Sequence, residues 1–420
     1  LRARVLAERS SATLPAHAVM SAPLVRIPDS ARIYEALMRM EEKGVRHLAV
    51  EAQDGRIVGV VDSKSLVQFR RYGPIVLTRE IERAASSIEV ARTCQRTPPL
   101  AKALLESSAR PQFVTGMLAS TCDAASQRLI ELALDQLGPA PAPFTFIAMG
   151  SQGRKEQTLL TDQDNGIIYS VEDPAAGEQA QAYFLKLGEW VCSGLEQAGY
   201  ATCRGGVMAR NTLWCRSLQG WKAGFDGWLA RSEAQEIMQI SIFFDFRAIY
   251  GESGLAGLLR GHVNAALEGD NAVFYHLAQN ALSFKPPIRL PGNIYLGSGT
   301  AERVGEINLK DAMMPLVSFA RLYALRHQLS QTHTLERLEA LAERGLLHPA
   351  TKDEMAGAYE FLTQLRLQGQ LEAIAAGRPL QNSIQPGRLG YTQQEILKQA
   401  FAHISAAQKK ISYEFLGGNG

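Results

Sequence analysis

The spacing of apolar and polar positions changes several times along this chain, and each change marks an element. Between Val19 and Leu66 the pattern passes from helix to strand and back. Pro28-Asp29-Ser30 offers helix-start chemistry, Tyr34, Leu37, Met38 and Met40 supply one apolar helical face, and Gly44 closes it. An apolar strand (HLAVEA), an Asp54-Gly55 turn, a second strand (RIVGVVD) and a further helix start follow. The order is a βαββα unit.

From about residue 70 to 138 the apolar period stays near that of a helix, in LAKALLESS and in FVTGMLASTCDAASQRLIELALDQLG. The Pro-rich joint GPAPAPF ends this region. FTFIAMG then predicts a strand, SQGRKEQTLL a helix, IIYSV a second strand and GEQAQAYFLKLGEWVCSGLEQAG a helix. YATCRGGVM predicts a third strand with a Gly-Gly bend, and the stretch ending in FFDFRAIYGE reads as mainly helical. Beyond residue 253 nearly everything reads as helix, apart from a loop at KPPIRLPGNIYLGSG. The fold class expected is multidomain α+β, with divisions at 1–72, 73–140, 141–252 and 253–420.

Composition narrows the function classes. Of the 420 residues, 46% are hydrophobic and 20% charged, which is the balance of a globular chain long enough for sizeable cores. A net charge of +2 without a dense Lys/Arg block gives no electrostatic footprint for nucleic acid. Five cysteines lie scattered with no CxxC pair, as expected of reduced thiols, and each is expected to be a small buried residue. No apolar run reaches membrane-spanning length, so no membrane partner and a cytoplasmic location are expected. The chain begins at Leu1 rather than Met, so a longer parent chain is expected.

Candidate chemistry concentrates in MGSQGRKEQTLLTDQDNGII, residues 149–168. Gly150 and Ser151 stand between a strand and a helix. Such a junction presents free backbone N–H groups to a phosphate, although Ser151 there can equally be a plain cap. Arg154 and Lys155 lie one turn on. Asp162 and Asp164 are two residues apart, so in a strand they share a side with Cα atoms roughly 6.6 Å apart. Two carboxylates at about 4 Å repel by roughly 4 kcal/mol at an effective dielectric near 20, a conflict that a divalent cation removes. A polar turn accounts for TDQDN as well. Phosphate seat and acidic pair together are what nucleotidyl transfer needs.

The motif resembles the GS-x-DxD signature of the DNA polymerase β-like nucleotidyltransferase superfamily. In its longer form it resembles a narrower group of CBS-fused nucleotidyltransferases, related to the enzyme that uridylylates the PII regulatory protein. CRGGVMARN, FFDFRAIYGE and INLKDAMMPLVSFARLYAL are similar to later motifs of that group. The resemblance implies a CBS module over 1–72, comprising a second copy and, in LRARVLAE, the end of a first. It also implies a helical linker (73–140), a polymerase β-like domain with a small mixed sheet (141–252) and an all-α C-terminal domain (253–420).

Gly150 and Ser151 would then hold a nucleoside triphosphate, and Asp162 and Asp164 the Mg²⁺ ions, with Mn²⁺ as an alternative. Arg154 would contact phosphate or pair with an acid, and Glu156 belongs to the motif. Asn211 would touch the nucleotide or cap a turn. The superfamily's third, base-forming carboxylate has no counterpart in YATCRGGVM. Asp245 is the nearest acid, either as base or in a salt bridge to Arg247 or a neighbour. The reaction implied moves a nucleoside monophosphate to an acceptor hydroxyl, with a protein acceptor of the PII kind, under control of a CBS module that also dimerises the chain. An adenosine nucleotide is a candidate CBS ligand, although Asp62 and Ser65 stand at the usual ligand positions. The PII enzyme's hydrolase domain is marked by a His-Asp step that this sequence lacks, so the demodifying activity is not expected here. Alternatives are a non-catalytic nucleotide sensor and, against the charge pattern, an RNA end-adding enzyme. The eight histidines show no ligand spacing, and the four tryptophans are expected to be packing residues.

Overall fold

In the computed structural model, the described residues are 15, 20, 23–31, 35–36, 39–40, 43–62, 74–107, 109–173, 176–231, 241–284, 288–289, 293–294 and 305–417. The fold is multidomain α+β, and it separates into two units, Leu1–Val76 and Leu77–Gly420.

In the first unit, β1 (Arg26–Pro28), β2 (His47–Glu51) and β3 (Ile57–Asp62) form a sheet in the order β1-β2-β3. β1 runs parallel to β2, and β3 antiparallel. The β2–β3 reversal is made by Asp54-Gly55. Gly55 takes φ +80, and Asp54 Oδ1 accepts from the Arg56 N–H at 3.1 Å. Ile27, Ala36, Met40 and Leu48 make a small core. LRARVLAE, Tyr34, Leu37, Met38 and Ser65 lie outside the described residues.

The second unit begins with helices α1 (Pro74–Glu82), α2 (Ser87–Cys94), α3 (Thr97–Glu106) and α4 (Pro111–Leu137). A sheet follows, of β4 (Phe144–Ala148), β5 (Asn165–Tyr169), β6 (Cys215–Ser217) and β7 (Arg247–Gly251), in the order β6-β5-β4-β7. β4 is antiparallel to both neighbours and β5 runs parallel to β6. All residues of β4 and β5 are buried, so these strands read as continuous apolar runs rather than alternating ones. Between them sits the one-turn helix α5 (Gly150–Gly153), and after them come α6 (Gly177–Gln197) and α7 (Leu218–Arg231).

Three sequence expectations are corrected here. SQGRKEQTLL is not a full helix: α5 stops after one turn because Lys155 takes φ +58, and the chain runs on irregularly. YATCRGGVM is not a strand; it makes a single bridge, Asp162 to Ala201, and then turns. RAIYG, expected to be helical, is β7. There Ile249 is buried in the sheet and Gly251 (φ +83) passes so close to Phe144 O that a Cβ would lie 2.2 Å from it. Within the predicted loop at 285–299, Ile288–Arg289 and Asn293–Ile294 pair as a short antiparallel ribbon.

The remaining helices are α8 (Ser253–Leu267), α9 (Asn271–Ser283), α10 (Leu309–Arg326), α11 (Thr334–Glu343), α12 (Pro349–Ala375) and α13 (Tyr391–Leu416). α8 packs on β4 and β7, and α10 lies among α9, α11, α12 and α13. One apolar core runs from Ile147 and Ile168 of the sheet to Phe401 and Ile411 of α13. Among the described residues no helix is long and apolar enough to cross a membrane.

Candidate functional site

The segment Asp162-Gln163-Asp164-Asn165 leads into β5 with alternating sides. Its two amides serve as fasteners. Gln163 Nε2 donates to Cys192 O (3.1 Å) and Tyr200 O (3.0 Å), and Asn165 Oδ1 accepts from the Ala209 N–H (2.8 Å). Backbone bonds add to this, from Gln163 N–H to Ala201 O (2.8 Å) and from Asn165 N–H to Val207 O (3.1 Å). The two acids alternate with these amides. Asp162, Asp164 and Cys203 bring a carboxylate oxygen each and the thiol sulfur within 4.8 Å of one another.

Asp164 is 6% exposed, and its Oδ1 is enclosed with no hydrogen-bond partner. Its pKa is pushed up from 3.8 to about 7, first by burial and then by the neighbouring Asp162 charge. Gly150 explains how the carboxylate fits. With φ +56, a Cβ there would lie 2.5 Å from Asp164 Oδ2. Met149 N–H donates to Asp164 O (2.8 Å), and Gly150 N–H donates to Ile242 O (3.3 Å). The Gly150 amide is therefore engaged, and the role the structure gives this residue is to make room for Asp164.

Ser151 stands at the cleft edge, its Oγ 3.4 Å from Thr161 Oγ1, in a narrow recess also lined by Arg154, Asp162 and Lys310. Arg154 is nonetheless committed to acids: its Nε donates to Glu156 Oε2 (2.6 Å) and its Nη1 to Asp245 Oδ2 (2.7 Å). Glu156 Oε1 accepts from the Thr334 N–H at 2.5 Å. Burial works to raise the Glu156 pKa, but the Arg154 and His333 charges and the Thr334 side chain outweigh it and hold the carboxyl below its usual range.

Asp245, a candidate base, is fully buried. Arg154, Arg321 (Nη2, 2.5 Å) and Arg337 (Nη1 to Oδ1, 2.7 Å) surround it. Burial would raise its pKa, but the three guanidinium groups together drive it far below the carboxylate range. A carboxylate so held does not accept a proton near neutrality, so the base role is replaced by a structural one. Nor does Arg247 pair with it; Arg247 binds Asp123 at 2.6 Å. Asn211 likewise serves its own loop, donating to Gly206 O (3.2 Å) and accepting from the Leu213 N–H (3.0 Å).

Asp162 and Cys203 line a cleft of about 640 Å³, with Arg204, Trp214, Lys310 and Gln381 among its other lining residues. The sequence assigned no site role to Lys310 or Cys203. Lys310 stands in the first turn of α10, within the quoted INLKDAM motif, and its charge acts on Asp164. Cys203 lies in CRGGVM and is only partly buried, whereas the other four cysteines are buried. A divalent cation fits this donor set. Two carboxylates converge, and one has a buried oxygen without a hydrogen-bond partner.

Comparison with family models places the chain in the nucleotidyltransferase class. Residues 95–235 match the family described as "Putative nucleotidyltransferase DUF294" and residues 271–415 match "Putative nucleotidyltransferase substrate binding domain". Residues 16–72 match "CBS domain". The chain belongs to the CBS-fused putative nucleotidyltransferase family. No curated protein matches it.

Proposed function

We propose that the protein transfers a nucleoside monophosphate from a nucleoside triphosphate to an acceptor hydroxyl in a reaction that depends on Mg²⁺ or Mn²⁺. The observation that carries this reading is the convergence of the buried Asp164 carboxyl, one oxygen of which has no hydrogen-bond partner, on Asp162, which lines the cleft. When bound, the cation neutralises phosphate charge and orients the phosphates for displacement. Asp162 and Asp164 would hold it. Ser151 would donate its hydroxyl to a phosphate oxygen, and Lys310 would offset the triphosphate charge from the opposite wall. Tyr359 and Arg366 line the same recess. The acceptor is a regulatory protein, in the manner of PII uridylylation, and the CBS module supplies regulatory input in response to an adenosine nucleotide. Dimerisation through that module is supported by Ile57, Val58 and Val60, apolar yet exposed on β3.

The test is incubation with each α-labelled triphosphate and a lysate of the source cells. Asp162→Asn and Asp164→Asn should each abolish labelling, by about a thousandfold or more, with the fold intact. Equal labelling by wild type and both variants would remove the site assignment. A second reading, a nucleotide sensor without transfer, is favoured by one observation: Asp245 is locked among arginines, and the third donor beside the pair is a thiol. Triphosphate binding with no labelled product under any cation would select it.

A further inference from the structure

We infer that Cys203 is the third ligand of the cation centre, and that its sulfur turns the centre towards thiophilic divalent cations such as Zn²⁺ in preference to Mg²⁺. This rests on the metal-dependent reading above.

The thiol is placed by construction rather than by a free side chain. Gln163, lying between the two aspartates, grips the loop at Tyr200 and Ala201, and Asn165 grips it at Val207. Gly206 N–H donates back to Cys203 O at 3.0 Å, which tightens the turn around it. The segment that carries the acids therefore also fixes the sulfur within 4.8 Å of both. Cys203 lines the cleft, so a solvated cation can reach it. The Cys203 thiol and the Asp164 carboxyl are hydrogen-bond partners, yet Asp164 Oδ1 is buried and unsatisfied, while Oδ2 is pressed towards Gly150. A buried carboxylate oxygen left unsatisfied calls for an ion or a proton.

The chemistry follows from the donor set. On coordination the thiol releases its proton to solvent, and two carboxylates with one thiolate then surround the cation. That gives the formal charge of three carboxylates with one hard oxygen exchanged for a soft sulfur. Mg²⁺ favours oxygen donors and octahedral geometry, whereas thiolate favours Zn²⁺ and softer ions.

Cadmium is the probe. Metal-free protein would be titrated with Cd²⁺ and followed by the ultraviolet thiolate-to-metal charge-transfer band, with Mn²⁺ binding followed in parallel by paramagnetic resonance. Wild type should show a saturable band. Cys203→Ser, with its fold checked by circular dichroism, should lose the band and bind Cd²⁺ more weakly by about tenfold or more, since even outer-shell partners of metal ligands are worth about 10–100-fold. Cys203→Asp should bind cations without the band and shift preference to Mg²⁺. If Mn²⁺ binds and Asp162→Asn abolishes it, yet Cd²⁺ gives no band or one that survives in Cys203→Ser, the thiolate inference is overturned and the metal-dependent reading stands. If no divalent cation binds wild type, or binding survives replacement of both aspartates, both fail.

Discussion

Asp164 is the residue whose environment says most about the site. Its folded pKa, about 7, lies above the ordinary 3.8, so the folded protein prefers the protonated carboxyl. That preference stabilises the fold fully below the ordinary value and is lost as pH rises through about 7. Without a divalent cation, Asp164→Asn should therefore be more stable than wild type at pH 8, by roughly 4 kcal/mol at most, and the advantage should vanish near pH 4. Thermal melts across this range, with and without Mn²⁺, check it; coincident curves at pH 8 would mean that the carboxylate is not strained by burial. Gly150→Ala tests the same pocket from the other side. The added Cβ meets Asp164 Oδ2 at 2.5 Å on a positive-φ backbone, so we expect a cost of about 1–2 kcal/mol and weaker cation binding by calorimetry. At this scale the sequence was informative about Asp162 and Asp164, because a two-residue spacing decides which way side chains point. It read Cys203 as a small buried residue, whereas the thiol is only partly buried and is brought to the pair by loop bonds from Gln163. It left Asp245 open between a base and a salt bridge, because the partners found, Arg321 and Arg337, come from distant segments.

At the scale of elements, Asp245 joins the short turn Phe243–Asp245 before β7 to α10 and α11 through Arg321 and Arg337. Glu156 makes a parallel joint to the start of α11 through the Thr334 amide, and Gln370 of α12 accepts from the Leu159 N–H at 3.0 Å. Removing one partner from a buried ionic cluster costs about 3–5 kcal/mol. Asp245→Asn should lose that amount by denaturant unfolding. Wild type should lose stability below about pH 4, as acid protonates Asp245 in the unfolded chain first. A variant with unchanged stability and reduced labelling alone would instead restore Asp245 to a catalytic role. The misread elements share a cause: FRAIYGE has both a helical and an alternating pattern, and only pairing with β4 decides between them. SQGRKEQTLL has helix-forming composition, yet the chain needs Lys155 at φ +58 to turn Glu156 towards Thr334.

For the whole molecule, every residue lining the candidate cleft falls within Leu77–Gly420. A chain of residues 77–420 should unfold cooperatively and retain triphosphate and cation binding, while any response to adenosine nucleotides disappears. Loss of triphosphate binding in a folded 77–420 fragment would show that the CBS unit completes the site. The α+β class was legible because helical and strand periods occupy separate stretches. The family match from residue 95 reaches back into helices that the apolar period alone presents as a linker. Helix α10 carries a last consequence. Lys310 and Arg321 are eleven residues apart, about 16 Å along the axis and, after three turns, on one stripe of the helix. One end of that stripe is anchored on Asp245 and the other overhangs the cleft. The helix thus ties the cleft to the arginine cluster, and a chain cut before residue 305 would retain both aspartates while losing the Lys310 ammonium whose charge acts on Asp164.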